Sequence, residues 1–154
     1  MCIRDSYCPP WITKEYRVRP VASLQELAAD SDFISVHTPL NDETRHFIDA
    51  DFFKAMKPTA YFINTCRGPT VDEKALTEAL EKGEIRGAGL DVFRVEPLAK
   101  GHRLWDYENV IITPHCSAVY AGWDLKSVEM FAENLTRYRQ GQALWNIVDP
   151  ARGY

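Results

Sequence analysis

Four short apolar runs, each closed by polar residues and each separated from the next by a polar or helical stretch, constrain this chain more than any other feature. They occupy residues 33–37, 60–64, 87–93 and 109–113. Predominantly apolar runs of this length are the mark of strands buried on both faces, and their alternation with helices predicts a parallel sheet joined by crossovers. The helical patterns between them have their own punctuation. Leu24, Leu27 and Ala28 share a face behind Ser23 as N-cap, with Glu26 three residues on. Residues 51–56 predict a short helix ended by Lys57-Pro58. Asp72 caps a third helix with Ala75, Leu76, Ala79 and Leu80 on one face, a Glu78–Lys82 pair, and Gly83 where a left-handed residue is wanted. A last helix starts near Ala121 and carries Leu125, Val128, Ala132, Leu135 and Tyr138 on one side before Gly141.

Right-handed crossovers place the carboxyl ends of parallel strands along one edge, where functional groups collect. The polar residues follow that rule. Thr38, then 65–67, 91–96 and 113–115 each lie at or just beyond the end of an apolar run.

At 154 residues the chain has the length of one domain with a sizeable core. A net charge of −4 argues against both a phosphate-coating surface and a polybasic membrane patch, so neither nucleic acid nor membrane is expected as a partner. No apolar run approaches the roughly 20 residues of a membrane helix. Nor does the amino terminus read as a secretion signal. The four cysteines are scattered without a C-x-x-C pair, so no metal site and no disulfide framework is expected and a reduced, cytoplasmic setting is the default. All eight glycines lie at position 68 or later. A glycine-rich loop that cradles phosphate with bare backbone is therefore absent from the first 67 residues.

Three groups at successive strand ends carry the chemistry: Arg67, Glu96 and His115. Singly, each has a bland explanation as a surface arginine, a loop acid and a backbone-bonded histidine. Together they are what carbonyl reduction or alcohol oxidation requires. A guanidinium is a two-pronged donor for a carboxylate. An imidazole gives or takes a proton near neutral pH, and a carboxylate on its second nitrogen sets its tautomer. No side chain donates hydride, so a nicotinamide cofactor is implied.

The segments 32–40, 64–68, 89–93 with Glu96-Pro97, and 109–115 resemble, in order and spacing, the NAD-binding domain of the D-isomer-specific 2-hydroxyacid dehydrogenases. The resemblance implies an α/β fold: a partial doubly wound (Rossmann) parallel sheet with flanking helices, lacking its first glycine-rich βαβ unit. It also implies roles. Arg67 binds the substrate carboxylate, His115 is the general acid/base and Glu96 its partner. Asp91 contacts the nicotinamide end of the cofactor. Thr38, Pro39 and the loop through Thr44 line the cofactor, as do Thr65 and Cys66 beside Arg67, while Ser117 and Ala118 close over the nicotinamide, with His115 adjoining. The substrate implied is a small 2-hydroxy or 2-keto acid, the cofactor NAD, and the assembly a homodimer in the full-length form. Formate oxidation is disfavoured, because formate dehydrogenases carry glutamine where this chain has Glu96.

Residues 1–22 are set apart as a leader or a remnant of the second-strand region, 23–141 as the partial NAD-binding domain, and 142–154 as a return segment toward a substrate domain. Where the family has the acid that bonds the adenosine ribose, the run Tyr7-Cys8-Pro9 places a neutral Cys8. That admits NADP beside NAD, with Asp5 as the alternative acid. The expectation is thus the carboxyl-terminal part of a dehydrogenase, inactive and weak in NAD binding by itself. An NAD-sensing, corepressor-like protein, suggested by the 115–118 run, and an inactive truncated fragment stand as alternatives. His46 and His102 are expected to be solvated, His37 to pack against backbone or touch the cofactor, Cys66 to serve packing, and Trp105 and Tyr107 to be core or rim.

Overall fold

The computed structural model of the chain describes Cys2–Ile3 as backbone, Glu15, and residues 18–150. Cys8 and Asp5, on which the choice between NAD and NADP turns, lie outside the described residues. Strand β1 (Cys2–Ile3) pairs in parallel with β2 (Arg19–Pro20), although no periodicity announced it. Two residues can join a ladder through their backbone whatever their side chains. The main sheet contains β3 (Phe33–Val36), β4 (Tyr61–Asn64), β5 (Gly87–Leu90) and β6 (Val110–Ile112), all parallel and in chain order.

Helices α1 (Leu24–Asp30), α2 (Ala50–Ala55), α3 (Glu73–Lys82) and α4 (Trp123–Arg139) accompany it. The predicted caps form. Ser23 Oγ accepts the Glu26 N–H at 3.1 Å, and Asp72 Oδ1 accepts those of Lys74 and Ala75 at 3.0 and 3.2 Å. Gly83 ends α3 at φ +68°, a left-handed conformation that glycine adopts without a Cβ clash.

Alternation along the strands divides the sheet into two faces. Ile34, Val36, Phe62, Ala88 and Leu90 pack with Ala28, Phe52, Phe53, Leu76 and Leu80 of the first three helices into one core. At its centre Phe53 meets Phe62 edge-on, with ring centroids 5.2 Å apart. The other face is open among the described residues: Phe33 is 70% and Ile111 72% exposed. A sheet covered on both faces was expected. Each strand here follows its neighbour in one direction, and right-handed crossovers that never reverse direction keep their helices on one side.

Two boundaries also differ from the sequence reading. β5 stops at Leu90, because Asp91 and the residues after it leave the ladder to make the contacts described below. α4 begins at Trp123 and buries none of its residues. Its partner is the segment that follows: Asn134 exchanges two hydrogen bonds with the Trp145 backbone at 2.9 and 3.1 Å, and the Arg137 guanidinium lies 4.1 Å from the Trp145 ring centre. Among the described residues no helix is long and apolar enough to cross a membrane.

Candidate active site

The carboxyl ends of β3 to β6 present four loops in a row. After β3, Asn41 organises the turn: its Oδ1 accepts the N–H groups of Glu43 and Thr44 at 3.0 and 2.9 Å. The Thr44 hydroxyl donates to the Pro39 carbonyl at 2.6 Å. Thr38 differs, since its Oγ1 is buried and has no hydrogen-bond partner. A buried hydroxyl left unbonded is costly, so a ligand that reaches it would remove that cost.

After β4, the buried Asn64 does what a strand-end asparagine is suited to do. Its Oδ1 accepts the Cys66 N–H at 3.1 Å, and its Nδ2 donates to the Arg67 carbonyl at 3.2 Å. Thr70 Oγ1 donates to the same carbonyl at 2.6 Å. The Arg67 backbone is thereby fixed while its side chain is exposed, with Nη1 donating to the Cys66 carbonyl at 2.6 Å. Gly68 explains how this loop meets the next. A Cβ placed on it would fall 2.0 Å from the Phe93 carbonyl carbon and oxygen, so only glycine allows the two backbones to close.

After β5 come Asp91 and Glu96. Glu96 Oε1 accepts the Phe93 N–H at 2.9 Å, and its Oε2 lies 2.7 Å from His115 Nδ1. Burial opposes the charge on Glu96, but the Phe93 N–H and His115 outweigh it and hold the carboxyl below its ordinary range. The Glu96–Pro97 peptide is cis. Asp91 is 2% exposed. Its burial also opposes ionisation, yet the Thr113 hydroxyl and the N–H groups of Cys116 and Ser117 overcome this and hold the carboxyl well below the usual range. After β6, His115 has a left-handed backbone, φ +53°, and Ser117 Oγ donates to the Thr65 carbonyl at 3.4 Å.

The structure thus joins Glu96 to His115, Asp91 to the His115 loop, and that loop to Thr65. Arg67 lies in the same row of loops with its guanidinium turned onto its own neighbour. Glu96 and His115 also border an open cleft of about 450 Å³ whose apolar walls include Phe93, Leu98, Trp105 and Ile112. Trp105 is a rim residue, half-exposed, with its indole N–H on the Ala99 carbonyl. His37 is bonded to Ser35 Oγ at 2.7 Å and His46 is exposed. His102 departs from expectation: it is only partly exposed, accepts the Leu104 N–H, and lies 3.4 Å from Glu73 Oε1. Asn64, Gly68 and Thr113 received no role from the sequence. The available signals were a buried amide at a strand end and a glycine directly after the arginine.

A single run of parallel strands with ionisable groups gathered at its carboxyl edge is the architecture of a Rossmann-like α/β domain. A model of the family described as D-isomer specific 2-hydroxyacid dehydrogenase, NAD binding domain, matches residues 5–117. The chain belongs to that family and carries its NAD-binding domain. It is 44% identical over 135 residues to a glyoxylate reductase of Aeropyrum pernix, covering 88% of this chain and 39% of that protein. A glyoxylate/hydroxypyruvate reductase B of Cronobacter sakazakii is 44% identical over 127 residues, covering 82% of this chain and 39% of its own length. Among solved structures, a D-isomer specific 2-hydroxyacid dehydrogenase of Xanthobacter autotrophicus Py2 in complex with NADPH and MES superposes with TM-score 0.85 at 36% identity, over 99% of this chain and 61% of that one. The apo D-mandelate dehydrogenase of Rhodotorula graminis gives TM-score 0.91 at 33% identity, over 96% and 43%. The chain therefore spans about two fifths of the length of the curated relatives it matches.

Proposed function

We propose that this chain is the catalytic-edge part of an NAD(P)-dependent dehydrogenase that interconverts a small 2-keto acid and its D-2-hydroxy acid, with glyoxylate or hydroxypyruvate as the substrate type. The 2.7 Å contact between His115 Nδ1 and Glu96 Oε2 at the carboxyl edge of the sheet carries the proposal. An ionised Glu96 accepts the Nδ1 proton, which leaves Nε2 as the nitrogen that exchanges a proton with substrate. In the reducing direction His115 gives that proton to the carbonyl oxygen as the carbon is reduced, and Glu96 stabilises the imidazolium beforehand. Arg67 binds the substrate carboxylate in a planar two-point contact, for which its exposed guanidinium must leave the Cys66 carbonyl.

The residues that would hold the dinucleotide are Thr38, Pro39 and Thr44 after β3, Thr65 and Cys66 after β4, Asp91 after β5, and Ser117 and Ala118 after β6. The unpartnered Thr38 hydroxyl fits such a ligand. When bound, the nicotinamide supplies the hydride. The same reading includes a cytoplasmic setting, a homodimeric full-length form, and a division at residues 23 and 142 between leader, NAD-binding part and return segment.

The test is oxidation of NADH and NADPH by the full-length form with glyoxylate, hydroxypyruvate and pyruvate. His115→Gln should lower kcat by about a hundredfold or more, the range general acid/base catalysis supplies. Turnover retained within about tenfold would overturn the assignment. So would nucleotide binding without turnover of any of the three acids, the behaviour of a sensor rather than an enzyme.

A further inference from the structure

We propose that Asp91 is the positioning residue for His115: its buried carboxylate holds loop 113–117 in the backbone shape that sets the imidazole against Glu96. Asp91 Oδ1 accepts the Thr113 hydroxyl at 2.5 Å and the Cys116 N–H at 2.9 Å, while Oδ2 accepts the Ser117 N–H at 2.8 Å. These three donors bracket His115 on both sides. Two of them are backbone groups, so the clamp acts on the path of the chain rather than on one side chain.

His115 needs such a clamp. Its φ of +53° lies in the left-handed region, uncommon for residues other than glycine, so a restraint on the loop helps to hold it there. Apolar burial does not impose it here, because residues 113–120 are all exposed. The loop is instead fixed at its start by the Thr113 N–H on the Leu90 carbonyl at 3.0 Å and at its end by Ser117 Oγ on Thr65. Asp91 fills the interval between these points. An ionised carboxylate accepting hydrogen bonds in a buried setting is among the stronger polar restraints available to a protein.

The inference rests on the reading of His115 as the acid/base, yet its test is independent of turnover. Glu96 is faced by the Phe93 N–H, by His115, and by the like charge of Asp91, which opposes its ionisation. Those influences give Asp91→Asn two opposite outcomes. Removal of a negative charge alone would lower the Glu96 midpoint. Release of His115 from its place would raise it, because the His115 contact outweighs the Asp91 repulsion.

The measurement is a carboxyl-carbon NMR titration of Glu96 in the 154-residue chain and in Asp91→Asn. The expected result is a rise of up to about one pH unit, together with faster hydrogen exchange at the Cys116 and Ser117 amides. A fall or no change in the midpoint would overturn the proposal. Leu80→Ala, which loosens the distant core, should leave the Glu96 midpoint where it is, so destabilisation alone cannot mimic the result. Thr113→Val removes one donor and keeps the Asp91 charge. It should move the midpoint and both amides in the same direction by less, and unchanged values in that variant would equally sink the idea.

Discussion

The chain divides at about residue 105 into two regions held by different forces. From Ala28 to Leu104 the structure is anchored by buried apolar side chains: Phe52, Phe53 and Phe62 are at most 1% exposed and touch one another edge-on. Beyond Leu104 no residue through Pro150 is buried. β6 joins through its ladder to β5 and, with Tyr107, Val110 and Ile112, lies partly buried against the core; the residues after it are tied by polar contacts: Asp91 to Thr113, Cys116 and Ser117, Glu96 to His115, and Ser117 to Thr65. Apolar burial is insensitive to pH and roughly proportional to area, whereas polar contacts depend on charge state and exact donors. The first region sets where the strand ends are, and the second places a titratable group over them.

The largest expected effect lies in the first region. Phe53→Ala should cost about 3–5 kcal/mol in urea unfolding, the range for emptying a buried aromatic site. A cost near zero would mean that the helices are not packed as described. Gly68→Ala tests the junction between the arginine and glutamate loops. Its Cβ has nowhere to go without moving the Phe93 backbone, and overpacking of this kind costs about 1–3 kcal/mol. Calorimetry would measure it, and an unchanged Tm would show that the loops separate freely.

Acid should then distinguish the two regions directly. Asp91 and Glu96 have folded-state midpoints below their ordinary values, so their contribution is complete above the ordinary carboxylate range of about 4 and is lost as the pH falls toward the lower folded values. The amides of Thr113, Cys116 and Ser117 should lose protection in hydrogen exchange before those of β3 to β5. A single transition common to both regions at every pH would remove the distinction. The smallest effect belongs to α4. Leu135→Ala, at a half-exposed position, should change the stability of this chain by less than about 0.5 kcal/mol. A penalty of about 2 kcal/mol or more, the cost typical of a core leucine, would show that α4 has a packed face.

Local signals were legible where a side chain acts on its own backbone. Ser23, Asp72 and Gly83 take their capping positions because each needs only neighbours within a turn. The apolar runs become strands at 33–36 and 61–64 as their composition predicts, although burial alternates along them with period two instead of covering both faces. The gathering of the candidate groups was legible in part. Strand ends in a parallel sheet share an edge, so Arg67, Glu96 and His115 could be placed in one row, and the Glu96–His115 contact follows from that row. What Asp91 touches could not be read, since its partners lie more than twenty residues away in the chain. Nor could the tight crossing at Gly68, where the constraint comes from the Phe93 backbone.

The two amphipathic helices mark the same limit. α3 and α4 both carry an apolar stripe, the more pronounced one on α3, yet α3 buries Ala75, Leu76, Ala79 and Leu80 while α4 buries nothing. Periodicity states that a helix has an apolar side, and only the arrangement of the sheet decides whether anything lies against it.

From the amino-acid order alone came the alternation of strands and helices, the caps, and the set of groups that must meet at the carboxyl edge, because these depend on spacing and on the fixed hand of the crossover. Only the tertiary structure decided that all three early helices share one face, that the Arg67 guanidinium rests on the Cys66 carbonyl, and that Asp91 bonds the loop of residues 113–117. Those outcomes depend on distances between residues far apart in sequence, which no local pattern encodes.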